Sequence, residues 1–263
     1  KIHTFSAFVI GVLIILSGVI ASDNFLSKYI NSAYLKWVYL SLVVVWLIYW
    51  LQNRYWIPRS NKKKTTLVLC IHADSHEAEQ SLKRDFVSSV KKQITSQNVG
   101  EIFNIIVIKN HIAQKYNNIK SIYNLHKKVK GNIYIFGDTK KRKNGDDQYF
   151  LSLDGLVLHR PVPIQVSQEL SKDFLATLPK GINFKDDFAF AGFQVSADIV
   201  VKSVEYIIGI AAFISGNPFL ATKVHNDLKV RINSTQQKLP GDKSILAKLD
   251  ELLSNEYAII AAY

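Results

Sequence analysis

The 263-residue sequence contains one cysteine, no methionine, six prolines and twelve glycines. A single thiol excludes a disulfide scaffold, and so little proline and glycine excludes collagen-like and low-complexity chains. Acidic residues are few: 21 Asp and Glu stand against 33 Lys and Arg, a net charge of +12. No phosphate-cradling glycine loop, nucleophile elbow or paired-carboxylate signature is present, so the reading is of a binding protein and not an enzyme, with no cofactor. What is abundant is apolar: 48 % hydrophobic residues, too many for a disordered chain. Numbering opens on Lys1, and the gene product is expected to continue upstream.

The positive charge is concentrated. Residues 54–143 hold 19 basic and 6 acidic residues, a net of +13, whereas residues 144–263 hold 11 against 14, a net of -3. A function that uses positive charge belongs in the middle segment.

Residues 5–21 carry no ionisable group, and neither do residues 37–51. Extended at their ends, these runs approach the roughly 17 to 25 residues that span a bilayer core, and they predict a two-helix transmembrane hairpin over residues 1–56. Arg54, Arg59, Lys62, Lys63 and Lys64 follow the second run, against Lys28 and Lys36 in the loop, which places the remainder in the cytoplasm. Trp46, Tyr49, Trp50, Tyr55 and Trp56 read as an interfacial belt. Ala7, Gly11 and Gly18 put small residues on one face of the first helix, where helices pack closely.

A basic linker, residues 57–64, is expected to lie against anionic lipid. Thr65-Thr66-Leu67-Val68-Leu69-Cys70-Ile71 reads as a buried strand, and Asp74 or Ser75 as the cap of a helix to about Ser96 along Leu82, Phe86, Val90 and Ile94. Strands over 103–109 and 132–137, a helix over 119–129, a turn at Asn144-Gly145-Asp146 and the alternating Tyr149, Leu151 and Leu153 complete an α/β domain with a mixed sheet, residues 65–195. Gly137, the basic hairpin and the strand after it resemble the ending of TolB N-terminal-like α/β domains, which are binding modules. In residues 204–230, Ile208-Gly209, Gly216 and Ala221 resemble the spacing of a tetratricopeptide repeat, with His225 and Leu228 departing from it. That resemblance implies a C-terminal helical-repeat segment, residues 196–263, making the whole an α+β membrane protein.

His72, Asp74, His76 and Glu77 form a dense run of metal-ligating residue types, but their spacing fits no metal pattern and capping is the plainer role. Cys70 reads as a buried, inert thiol and Asp186-Asp187 as a turn. The basic groups carry more: Lys83, Arg84, Lys91 and Lys92 on the first helix of the domain, Lys127, Lys128 and Lys130 at the end of the second, and Lys140, Lys141, Arg142 and Lys143 on the hairpin. All of these but Lys91 and Lys92, together with Arg160, are the candidate ligand contacts for a phosphate-rich partner. Membrane lipid and plain solvation compete for the same charges.

The architecture, a two-helix hairpin before a basic sensor-like domain, resembles the membrane effectors of bacterial anti-phage nucleotide-signalling systems of the CBASS and Hailong types. That resemblance implies antiviral defence by a homo-oligomeric ion channel, gated by a nucleotide or single-stranded oligonucleotide signal that a partner nucleotidyltransferase produces. The alternative is an inner-membrane adaptor whose repeat helices recruit a protein while the basic segment touches lipid.

Overall fold

The structure, a computed structural model, describes residues 5–26, 32–61, 64–96, 103–144, 146–158, 164–178, 181–235, 239 and 242–262. It divides into two compact units, Lys1–Pro58 and Arg59–Tyr263.

The first unit is a helical hairpin of α1 (Phe5–Leu26) and α2 (Ser32–Tyr55). The Trp46 indole donates to the Phe8 carbonyl at 3.3 Å, and the Phe8 and Trp50 rings lie 4.9 Å apart. A methyl group on Gly11 would stand 2.3 Å from the Trp46 ring, so this position needs glycine, whereas one on Gly18 would meet open space. Among the described residues no helix is long and apolar enough to cross a membrane. The expected transmembrane hairpin is therefore corrected to a pair of packed helices. The physical reason lies in run length: 17 and 15 uncharged residues fall short of about 20, and the helices are completed by polar sequence, Ser-Asp-Asn in α1 and Gln-Asn-Arg in α2. Arg54 lies over the Trp50 and Tyr55 rings at 4.9 and 5.3 Å.

The second unit is built on a five-stranded sheet in the order β2-β1-β3-β4-β5. β1 (Thr65–Ala73) pairs in parallel with β2 (Phe103–Val107) and β3 (Ile133–Asn144), while β4 (Asp146–Val157) and β5 (Ile182–Lys185) add antiparallel. β1 is buried almost throughout, as its unbroken apolar run requires of a strand covered on both faces. On one face Leu67, Leu69, Ile71 and Ala73 meet Ala78, Leu82, Phe86, Val90 and Ile94. These five come from α3 (His76–Ser81), a π-helical turn (Leu82–Val87) and α4 (Ser88–Ser96), which Ser75 caps by accepting from the Ala78 amide at 3.1 Å. The other face of β1 is covered by α5 (Asn110–Ala113) and α6 (Ile119–Val129), where the buried Cys70 thiol donates to the Tyr116 carbonyl. Burial pushes that thiol up to about 12, which leaves it protonated and inert.

After β4, α7 (Ile164–Thr177) returns over the sheet and sets Phe174 against Gly155. β5, a 3-10 turn (Asp186–Phe188) and the 26-residue α8 (Ala189–Ile214) follow. Residue 196, where the helical segment was expected to begin, thus falls inside a helix that starts at Ala189 and packs on β5 and α4. α9 (Pro218–Ser234) returns from the turn at Gly216, which has φ +78°, and α10 (Asp242–Ala261) completes the layer. Gly209 presses against the His225 imidazole, where an added methyl would approach Nε2 to 2.1 Å.

This helical layer buries charge. His225 Nε2 faces the Tyr206 carbonyl at 3.1 Å and must carry a proton, since a carbonyl only accepts. Its Nδ1 lies 2.7 Å from Glu256 Oε1, both groups being fully buried, and one further proton lies between them. Arg231 holds Glu205 in a two-pronged ion pair. Lys202, 1 % exposed, bridges Asp198 at 2.9 Å and Asp242 at 3.2 Å.

Candidate functional site

Side chains alternate across a strand, and residues opposed in an antiparallel pair share a face. Lys140 opposes Phe150, Arg142 opposes Gln148, and Phe150 and Gln148 in turn oppose Asn183 and Lys185. These six residues therefore share one face of β3, β4 and β5. On the opposite face Tyr149 stacks on Phe184 at 5.9 Å, and both meet Phe193 of α8, at 5.6 and 4.9 Å. The helices α7 and α8 close that side, and the side with Lys140 and Arg142 stays open: all of its six residues are exposed except Phe150, which is half-buried.

The electrostatics of this face are those of a replaceable surface. The Arg142 guanidinium carbon lies 5.4 Å from the centre of the Phe150 ring, a cation-π geometry that leaves the N–H groups at the rim available to an anion. Lys140 lies 3.0 Å from Asp138, but its side chain is half-exposed, and such pairs contribute about 0–1 kcal/mol.

Lys141, between them in sequence, points the other way. Its side chain is 11 % exposed and reaches Glu77 and Asp186, each at 3.1 Å, over the Tyr149 ring. It ties β3 to α3 and to the turn after β5. Lys83 pairs with Glu79 at 2.5 Å, and Arg84 makes two bonds to Asp85 at 2.7 and 2.9 Å. Lys127, Lys128 and Lys130 lie at the end of α6, beside the start of β3, while Lys140 stands seven residues along that strand, roughly 23 Å away. The Lys143 side chain and Arg160 lie outside the described residues. Of the predicted contacts, Lys140 and Arg142 come together on an open face.

Phe150, Gln148, Asn183 and Lys185 were not singled out from the sequence. A usable signal exists for two of them: Gln148 and Phe150 alternate with Tyr149 and Leu151, so assigning the latter pair to the core assigns the former to the other face. No comparable signal marks the four-residue β5.

The His72 run serves the fold. His72 Nδ1 donates to Asn110 Oδ1 at 2.8 Å, and the Asn110 amide also bonds both backbone groups of Ala73, joining the ends of β1 and β2. Among the described residues no group of three or more His, Cys, Asp and Glu is placed to hold a metal ion. Compared with known proteins, the chain matches no family, no curated protein and no solved structure.

Proposed function

We propose that the chain is a nucleotide-sensing module that binds a phosphate-bearing signal, a nucleotide or short single-stranded oligonucleotide, on the open face of β3, β4 and β5. Lys140 and Arg142 take the phosphates, Phe150 lies beneath a base, and Gln148 and Asn183 offer amides to base edges. The observation that carries this reading is that three cations, Lys140, Arg142 and Lys185, and an aromatic ring share one uncovered sheet face. An aromatic platform flanked by cations suits single strands, because every base has a stackable face and every nucleotide a phosphate. Stacking of one base contributes about 1–3 kcal/mol. A membrane-spanning pore is no part of this reading, since no helix among the described residues is long and apolar enough to cross a membrane.

The test is fluorescence anisotropy of the full chain with labelled cyclic dinucleotides, single-stranded DNA and single-stranded RNA over a salt series. Saturable binding is expected, weakening as salt rises, and Lys140→Glu with Arg142→Glu should lower affinity at least about tenfold. Charge reversal at Lys127 and Lys128, at the opposite end of β3, should change it little. Equal binding by the Lys140/Arg142 variant, or none by the wild type, overturns the reading.

A further inference from the structure

α4 and α8 flank an open groove of about 460 Å³ in which polar side chains stand among surface that is apolar in larger part. From α4 it receives Ser89, Lys92 and Gln93, and from α8 Gln194 and Asp198, with Leu239 closing one end. Ser89, Lys92 and Gln93 stand at the i, i+3, i+4 spacing of one helix stripe, beside the apolar stripe of Val90 and Ile94 that faces the core. Hydrogen-bonding groups thus stand on both walls of the groove, above a floor that is apolar in larger part.

Its two charges are held apart. Lys92 is exposed on the α4 wall, whereas Asp198 on the α8 wall is fixed by the buried Lys202 at 2.9 Å. Lys202 also bonds both oxygens of Asp242, at 3.2 and 3.3 Å, and Asp242 accepts the Leu239 amide at 2.8 Å. One buried cation therefore serves two carboxylates, leaving one negative charge in excess, and the same network anchors the Leu239 end of the groove. Nearby Glu205 is pushed up to about 7, mainly by burial and against the pull of Arg231, with Asp198 and Asp227 adding to the rise. Asp198, half-buried, is the most accessible member of the group and lines the groove.

We infer that this groove binds a small zwitterion of the α-amino-acid class, its ammonium on Asp198 and its carboxylate on Lys92. The ligand ammonium extends the alternation Asp242, Lys202, Asp198 by one further cation and neutralises the excess. Gln93, Gln194 and Ser89 are then left for the ligand's side chain, and favour one with amide or hydroxyl groups.

Isothermal titration calorimetry of the full chain against the twenty L-amino acids, each singly, tests this. Saturable binding of at least one is expected, with affinity falling about tenfold in Lys92→Gln and in Asp198→Asn, and likewise for the N-acetylated form of the same amino acid. Lys92→Gln lies on an exposed helical position and keeps the test open if Asp198→Asn unfolds. Lys140→Glu with Arg142→Glu should leave this binding unchanged, which separates it from the sheet-face site. No heat from any amino acid at about 10 mM overturns the inference. So does undiminished binding by Lys92→Gln or by the N-acetylated ligand.

Discussion

The layer of α8, α9 and α10 and the open face of β3, β4 and β5 both carry charge, and they treat it in opposite ways. In the helical layer Lys202, Glu205, His225 and Glu256 are buried, each bonded to a group of opposite or complementary character. On the sheet face Lys140 and Arg142 are exposed and weakly engaged. A charge taken from water must be repaired by its partners, so it is committed to one geometry. A charge left in water keeps its partner exchangeable and is free to meet a ligand. Counting basic residues does not separate these cases, and burial does.

The largest expected effect tests the committed half. Lys202→Met leaves the buried Asp242 without its cation and Asp198 without its tether, and should lower unfolding free energy by about 3–5 kcal/mol, read from urea denaturation. Next is Glu205, pushed up to about 7 by burial against the pull of Arg231. A carboxyl with a raised folded pKa holds its proton in the native state where the unfolded chain has lost it. Stability from this group is therefore greatest below about pH 4.5 and falls as pH rises to about 7, by up to about 3 kcal/mol before any relief from relaxation. Glu205→Gln should flatten that stretch of the wild-type stability curve, measured as melting temperature against pH. Gly209→Ala forces a methyl onto the His225 ring and should cost about 1–3 kcal/mol. Smallest is the sheet face, where Lys140→Glu and Arg142→Glu should move stability by no more than about 0.5 kcal/mol each while together lowering affinity for the nucleotide or oligonucleotide at least about tenfold. Loss of stability there comparable to that of Lys202→Met would erase the distinction between the two regions.

Much of the sheet was legible in the sequence. The apolar run before Ala73, the helix over 119–129 and the turn at 144–146 are local signals, and the observed elements follow them closely. The helix-turn-helix around Gly216 was legible too, because glycine at φ +78° ends a helix whatever surrounds it. Other features depend on partners distant in sequence. Nothing local says that α8 starts at Ala189, since Phe193 belongs to a helix only because Tyr149 and Phe184 wait for it. Nor does charge reveal direction: Lys140, Lys141 and Arg142 look alike in sequence, and the pleat sends the middle one to Glu77 and Asp186. The apolar N-terminal runs were legible as helices, and their length was overread.

The π-helical turn at Leu82–Val87 has a consequence for how this chain can vary. Ala78, Leu82, Phe86, Val90 and Ile94 are all buried, yet they recur strictly every four residues. In an ordinary α-helix each such step overshoots a full turn by about 40°, so four steps carry the last residue about 160° from the first. The wider turn takes back most of that drift and lets one stripe stay on the core over its whole length. It acts as a phase adjuster that takes up the angle of about one residue, so the segment tolerates losing a residue there but not gaining one. Removing one residue between 82 and 87 would restore a plain helix and leave α4 facing much as it does now, whereas one inserted residue would rotate α4 by about 100°, carrying Lys92 and Gln93 off the groove and Val90 and Ile94 away from the core they now fill.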